Sequence, residues 1–517
     1  MRILLPRPSP KAQDSWFSTN MADSDHGETH RDVSVAFRNA LKLGLSLIAT
    51  WAVALGVRFI LPRYLGPERF GQYSWAESTA ALAFLFAGLG LDTYIQREVS
   101  VRPKHASDFF GGAVMVRALI SAVLLVGLFV FAATTDPDPE IRLALVVFGV
   151  TQALVVMNAS LAALLQASTK VSGLAVANVV TKLVWGVGVI AVVQGTSRYA
   201  ILALPLLFGE LLKSALLWPT VRRELSLTMV INRPETRLVL VASIPFFVNT
   251  ISYTMGNKLD ITLLKSFSSK EEVGYYSAAQ NIASLAMLLA PLEGWVITPL
   301  LTRAVKRSED EFFAILRRAI EGILVLAIPA TMLISFGASF WMRVACGQKY
   351  LPGAGSLEQL APSFVFTYAA VLLATALIIL KRSWTVTLIS LSRVALQPIL
   401  MWLVVPWASR RWGLGGAGMG DALVFTFLEM YVTAMFLFFL GRRAFDKRSI
   451  VALIKSMLAL GITYGIHHFL ERFGPLRLVV DALAYAVLVL ALGAVKIGDV
   501  RWVIDMIRKR RSGGAVE

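Results

Sequence analysis

Residues 65–78, LGPERFGQYSWAES, and residues 268–281, SSKEEVGYYSAAQN, repeat one polar pattern in an otherwise oily chain. At an offset of 203 residues, Glu68, Gly71, Tyr73, Ser74 and Ala76 match Glu271, Gly274, Tyr276, Ser277 and Ala279. A short match among common residues means little alone; its place along the chain gives it weight. Each copy falls where a first apolar run ends and a second begins, and the offset equals six such runs with their connections. Six is even, so both copies cross a membrane in the same sense. The spacing therefore predicts two lobes related by a pseudo-two-fold along the membrane normal, with a cleft between them, as in transporters. The glycines are expected in turns and the tyrosines at headgroup depth. The plainer alternative is a pair of interfacial turns with no repeat behind them.

The runs between the copies fix the class. The chain has 517 residues, 56% hydrophobic and 16% charged, with a mean hydropathy of +0.66. That leaves too little polar surface to cover a soluble globule. Runs of about 20 apolar residues, the length that crosses a hydrocarbon core as helix, number about fourteen. The expectation is an all-α polytopic membrane protein: a disordered cytoplasmic leader over 1–36, an N-lobe of six helices over 37–236, a C-lobe of six over 237–445, a terminal pair over 446–497 and an amphipathic cytoplasmic tail over 498–517. Two divisions are weak, because only STKVS at 168–172 and KRS at 381–383 interrupt the apolar runs.

A formal charge of +17 suggests nucleic acid in a soluble protein. Here the loops assign it to topology. With the N-terminus inside, inside segments carry about 30 Lys and Arg against about 12 outside, as the positive-inside rule demands. Both termini are expected in the cytoplasm, and no nucleic-acid partner is needed. The single cysteine, Cys346, excludes an intrachain disulfide. No Cys/His cluster has metal-ligand spacing, so neither metal nor cofactor is expected. The leader lacks the apolar region of a cleavable signal peptide, and Met21 is an alternative start.

Four stretches carry a family resemblance: YLGPERFGQYSWAES from Tyr64, FAGLGLDTYIQREVS from Phe86, LDITLLKSFSSKEEVGYYSAAQNI from Leu259 and WGLGGAGMGDALV from Trp412. Over about residues 38–440 the chain resembles the polysaccharide flippases of the multidrug/oligosaccharidyl-lipid/polysaccharide exporter superfamily. The resemblance implies carriage of a polyprenyl-pyrophosphate-linked oligosaccharide across the bacterial inner membrane, toward O-antigen or exopolysaccharide, beside glycosyltransferases or a polysaccharide polymerase. The motifs are more specific for the superfamily than for the substrate.

Charges inside the apolar runs supply the candidate site. Arg117, Lys182 and Arg393 fall near mid-span, where exposure to lipid costs about 2.5–3.5 kcal/mol on insertion scales. They are expected to face protein or water. Arg58 and Lys258 lie in the outer thirds of the two first helices, where snorkelling is an equal alternative. Lys42, Lys213 and Lys455 sit near cytoplasmic ends and read as snorkelling side chains. A cleft lined by fixed cations suits a pyrophosphate head, because Arg offers bidentate donors and Lys a compact charge. Among the carboxylates Glu77, Glu210, Glu293, Asp421 and Glu429, the first and third occupy the second helices of the two lobes. With Asp260 they are expected as counter-ions, or as groups answering H+ or Na+. Glu210 and Lys213 are spaced to neutralise each other on one helix face. Gln280 and Asn281 are expected to reach sugar hydroxyls or neighbouring helices.

The glycine-rich GLGLD and GLGGAGMGD stretches lack a Walker lysine and a βαβ setting, so a nucleotide loop is rejected in favour of close helix packing. No Ser, His and Asp arrangement suggests catalysis, and the chain is read as a transporter, not an enzyme. The tail DVRWVIDMIRKRR from Asp499 places apolar and basic residues as in helices that lie on a membrane of anionic lipids. The sequence thus points to a flippase that alternates access to a cationic cleft. A multidrug-type cation-coupled antiporter of the same superfamily would expect an acidic cavity. A membrane glycosyltransferase or ligase would expect carboxylates on a large outer loop.

Overall fold

A computed structural model describes residues 25–102, 106–135, 138–168, 171–196, 198–225, 230–256, 258–290 and 293–493. All regular structure among them is helical, as lipid requires of backbone that must satisfy its own hydrogen bonds. In chain order the α-helices are α1 (Asp25–Phe84), α2 (Leu91–Val101), α3 (Ala106–Thr135), α4 (Pro139–Ala167), α5 (Ser172–Gly195), α6 (Tyr199–Leu202), α7 (Leu204–Leu225), α8 (Arg233–Gly256), α9 (Leu259–Phe267) and α10 (Lys270–Ala283). They continue with α11 (Thr298–Arg307), α12 (Glu309–Phe336), α13 (Ala338–Cys346), α14 (Ala354–Leu360), α15 (Ser363–Ile379), α16 (Ser383–Trp412), α17 (Gly416–Leu440), α18 (Lys447–Phe469) and α19 (Arg477–Ala491).

Local chemistry sets many of the boundaries. Asp138 caps α4 by accepting from the Glu140 N–H, with Pro139 at the first helical position. Ser269 and Ser308 cap α10 and α12 by accepting from the N–H of Glu272 and Glu311, the first half of two S-x-x-E boxes. A straight helix as long as α1, 60 residues, would run about 90 Å, some three times the hydrocarbon core. Gly66, at φ 72° and ψ 170°, breaks it into two arms, a conformation glycine adopts without a Cβ clash.

Among the described residues, eight helices are long and apolar enough to cross a membrane, or up to ten if each bent pair counts as one span. The expected fourteen exceeds this for a physical reason. Several of the apolar runs are broken: α1 contains two runs, α8 and α9 share one, and the run over 275–301 passes through α10, a 3-10 stretch, a π turn and α11. Leu119, Val123, Val126 and Val130 share one face of α3 and are each more than half exposed, the signature of a surface that meets lipid. Residues 25–36, expected as disordered, form the start of α1. Met21 and the tail from Asp499 lie outside the described residues.

The largest apolar cluster draws on both echo copies. Phe70, Tyr73 and Ala76 share it with Val273, Tyr276 and Ala279. The terminal helices α18 and α19 pack elsewhere, with Ala459, Tyr485 and Val489 against Ile328 and Met332 of α12.

Candidate functional site: cations where the halves meet

The echo copies touch each other. A Cβ on Gly71 would stand 2.0 Å from the Lys270 carbonyl oxygen, and one on Gly274 would stand 2.0 Å from that of Pro67. Lys270 and Pro67 are themselves separated by the repeat offset, so each copy offers the same glycine to the same carbonyl of the other. A reciprocal contact of this kind is what a two-fold produces. Both glycines are helical, and their role is close backbone approach, of the Cα–H···O=C type. The sequence reading had placed them in turns; the turn belongs to Gly66. The tyrosines differ from expectation as well. Tyr73 and Tyr276 are buried in the shared core, and the Tyr276 hydroxyl donates to Asp260 Oδ2 at 2.9 Å.

Further bonds close the same seam. Arg63 donates to the carbonyls of Ala345, at 2.9 Å, and Val344. Tyr350 Oη donates to the Pro62 carbonyl at 2.8 Å. Trp75 Nε1 reaches the Thr262 carbonyl at 3.3 Å, and Lys265 Nζ lies 3.5 Å from the centroid of the same indole, a cation–π contact.

About 12 Å down the first arm of α1 from Gly66, at 1.5 Å per residue, an exposed Arg58 bridges toward the other half through Ser284 Oγ at 3.3 Å. Lys182 of α5 is half-buried, with its ammonium 4.4 Å from the Trp185 centroid. It feels the charges of Glu210, Glu77, Lys213 and Arg58. Glu210 is oriented by Asn158 Nδ2, which donates to Oε2 at 2.8 Å, while Ser214 Oγ donates to Asn158 Oδ1 at 2.8 Å. The expected neutral pair does not form: among the described residues, the Glu210 carboxylate takes Asn158 rather than Lys213. Lys258, at the start of α9, is exposed.

The two mid-span arginines behave differently. Arg117, fully buried, donates to Asp92 Oδ1 at 3.0 Å, the Val156 carbonyl at 3.1 Å, Ser160 Oγ and the Gly88 carbonyl. Gly88 ends a 3-10 turn, and Leu89 and Gly90 follow in left-handed conformation, so the guanidinium fills a break in the second helix of the first half. Arg393 pairs with Glu429 at 2.8 Å, both side chains buried. Thr367 Oγ1 donates to the second Glu429 oxygen at 2.8 Å, and Phe425 presents its ring 5.2 Å away. Both arginines, expected to face protein or water, face protein, and each is held by a carboxylate from another helix.

The remaining expected residues, apart from Glu77, fall in the second half. Asp260 is fully buried, accepting from Tyr276 and from Gln280 Nε2 at 2.7 Å. It lies within electrostatic reach of Asp421, whose two oxygens have no hydrogen-bond partner among the described residues, as is true of the Gln397 amide. Glu293 is buried in the π turn Glu293–Ile297 with both oxygens equally unpartnered. Asn281 is half-buried beside Gln280. Glu77 is half-buried near Lys182.

Sequence reasoning missed the clamp at the other glycine-rich stretch. The Glu272 carboxylate accepts from the N–H of Gly415 at 2.5 Å and Gly418 at 3.0 Å. Gly415, at φ 86°, leaves no room for a Cβ, which would meet the Pro352 carbonyl oxygen at 2.0 Å. The stretch therefore binds an anion after all, but an internal one, at the N-terminus of α17. The glycines in GLGGAG were the available signal.

A family model described as "Polysaccharide biosynthesis protein" matches residues 36–305, just over half of the chain. No curated protein matches the sequence. Among solved structures, the lipid II flippase MurJ in an inward closed conformation is similar with a TM-score of 0.66 at 14% identity, covering 88% of this chain and 99% of that one. An inward-facing multidrug resistance MATE family transporter of the MOP superfamily gives 0.60 at 15% identity, over 75% of this chain and 94% of that one. A MATE in the straight conformation gives 0.56 at 15%, over 79% and 96%. At such identities these likenesses show the fold.

Proposed function

Because the chain belongs to the polysaccharide biosynthesis protein family, we propose that this multi-pass membrane protein is a flippase for a polyprenyl-pyrophosphate-linked oligosaccharide. It works in the bacterial inner membrane with both termini cytoplasmic. The lipid tail stays in the bilayer, and the protein lowers the barrier only for the charged head and its sugars. One observation carries the reading: Arg58 and Lys182 have no ion pair within 4.0 Å among the described residues, yet share an electrostatic neighbourhood where the halves meet. Lys182 feels Glu210 and Glu77, but neither carboxylate contacts it, and cations with their donors left open suit a polyanionic guest. The fold likeness to a lipid II flippase supports the same class.

In this proposal Arg58, Lys182 and Lys258 receive the pyrophosphate. Arg117 and Arg393 are positioning residues that hold broken or polar helices in place. Gln280 and Asn281 serve sugar or gate contacts. Glu77, Glu293 and Asp260 act as counter-ions or as H+- or Na+-responsive groups. The seam around Gly71 and Gly274 is the outer gate, closed here, and alternating access opens it while closing the opposite side.

Cells that depend on this chain provide the test. Depletion is expected to trap lipid-linked repeat units on the inner face, and wild-type chain to release them, while Arg58→Gln with Lys182→Gln fails to. Altered drug resistance without accumulation would indicate an antiporter instead, and unfinished glycans on the lipid would indicate a transferase.

A further inference from the structure

Away from the seam, the ends of α12, α15, α16 and α17 enclose a cleft of ≈ 310 Å³ lined by Glu309, Phe313, Leu380, Arg382, Leu440 and Arg443. Its chemistry is divided: three apolar side chains form a wall, and two guanidiniums face one carboxylate. We propose that this cleft binds the phosphate headgroup of an anionic phospholipid from the cytoplasmic leaflet, the phosphate on Arg382 and Arg443 and the start of its acyl region on the apolar wall. The inference rests on the membrane topology proposed above but not on the saccharide substrate.

Both arginines are held in position with donors to spare. Arg382 Nη1 donates to the Phe439 carbonyl at 2.9 Å, at the last turn of α17, which engages one of its five N–H groups. Arg443 pairs with Glu309 at 2.7 Å, but both side chains are 64% exposed. An exposed pair of this kind contributes little, so Glu309 gives way to a stronger anion at small cost. The backbone beneath Arg443 is fixed from the other side, because Arg317 donates to its carbonyl at 2.8 Å and pairs with Asp446 at 3.4 Å.

The turn between α15 and α16 supplies a second, independent sign. Lys381 takes a left-handed φ of 62°, and the turn closes with Lys381 N to the Ile378 carbonyl at 3.0 Å and Arg382 N to the Leu377 carbonyl at 2.8 Å. This is the Schellman geometry, whose left-handed position prefers Gly or Asn. A lysine there bears backbone strain that glycine would not, and the strain places a third cation beside the cleft. A lipid suits the site better than a soluble anion. The wall of Phe313, Leu380 and Leu440 offers a free phosphate nothing, whereas it continues into the exposed side chains of Phe438 and Phe439, an apolar surface that suits an acyl chain.

Native mass spectrometry of the purified full-length chain, equilibrated with phosphatidylglycerol or phosphatidylcholine in detergent, reads the occupancy directly. Phosphatidylglycerol is expected to be retained preferentially. Arg382→Gln with Arg443→Gln should reduce that retention by roughly tenfold or more, the scale of one or two lost charge-assisted hydrogen bonds. Arg382→Lys with Arg443→Lys should restore part of it, which controls for folding. Glu309→Gln should raise retention, an effect that a purely structural Arg443–Glu309 pair would not produce. Equal retention of the two lipids, retention unchanged in the double Gln variant, or complete displacement by inorganic phosphate at equal concentration would overturn the proposal. Normal lipid retention in a chain that moves no saccharide would instead count against the flippase reading alone.

Discussion

Both halves break their second long helix at nearly the same register, and they treat the break in opposite ways. In the first half, the turn Leu85–Gly88 and the left-handed pair Leu89 and Gly90 interrupt the helix, and the Gly88 carbonyl accepts from outside it. Arg117 fills the gap, with Asp92 and Ser160 around it. In the second half the break runs from the 3-10 stretch Ser284–Leu289 to the π turn Glu293–Ile297. At the repeat offset, Arg117 corresponds to Ile320, which donates no side-chain hydrogen bond. Glu293 is left buried without a partner among the described residues. The first half thus carries a kink locked by a charged donor, whereas in the second the neutral Tyr368 Oη donates to the Ala286 carbonyl at 2.6 Å and the Glu293 carboxyl has no partner among the described residues. π turns inside long helices mark functional positions often enough that the second half is where motion is expected to concentrate.

The strongest way to break this comparison is to empty the locks. Arg393→Met leaves Glu429 buried and unpaired and is expected to cost about 3–5 kcal/mol. Arg117→Met should cost about 2–4 kcal/mol, since Asp92 retains some solvent. Thermal unfolding of the purified variants measures both. Adding Glu429→Gln or Asp92→Asn should return part of each loss, because it removes the charge left behind.

Next in size is the seam. Gly274→Ala or Gly71→Ala sets a methyl group against a backbone carbonyl that cannot rotate away. Each substitution is expected to hold the outer gate ajar and to abolish net transport, and cysteine accessibility along the seam should rise with it. Unchanged accessibility and transport would show that the contact is not a gate.

At the second break the expected effect on stability is small. Glu293→Gln keeps the shape of a carboxyl that has no hydrogen-bond partner among the described residues, so stability should hold within about 1 kcal/mol, while transport falls. A drop in melting temperature like that of Arg117→Met would erase the distinction between the halves.

The smallest effect concerns Cys346. Burial raises its thiol to about 12, so thiolate is scarce near neutral pH and grows only as pH climbs toward that value. The native chain should resist maleimide at pH 7 and label on unfolding. Engineered cysteines in the seam can then be read against a silent background.

Much of the fold was legible in the sequence because lipid leaves few choices. Apolar runs must be helices, and even the weakest divisions proved real: α4 ends at Ala167 and α5 begins at Ser172, while Lys381 punctuates α15 and α16. The repeat was legible too, although its glycines serve contact and not turning. The polar residues inside the apolar runs were legible and their pairings were not. Arg117 finds Asp92, and Arg393 finds Glu429, from helices whose proximity no local pattern states. The number of spans is least legible where helices break, since periodicity reads a broken run as whole. GLGLD held a clue: two glycines in a membrane helix predict a break, and a break in lipid needs a donor.

Arg58 and Lys182, which have no ion pair among the described residues, are proposed to receive an anionic lipid-linked head. Proteoliposomes loaded with a fluorescent polyprenyl-pyrophosphate saccharide test it most directly, with wild-type chain compared against Arg58→Gln and Lys182→Gln singly and together. The variants should melt within about 0.5 kcal/mol of wild type, as surface-like substitutions do, and translocate the saccharide lipid at least about tenfold more slowly. Wild-type translocation by the double variant at equal protein levels would contradict the account.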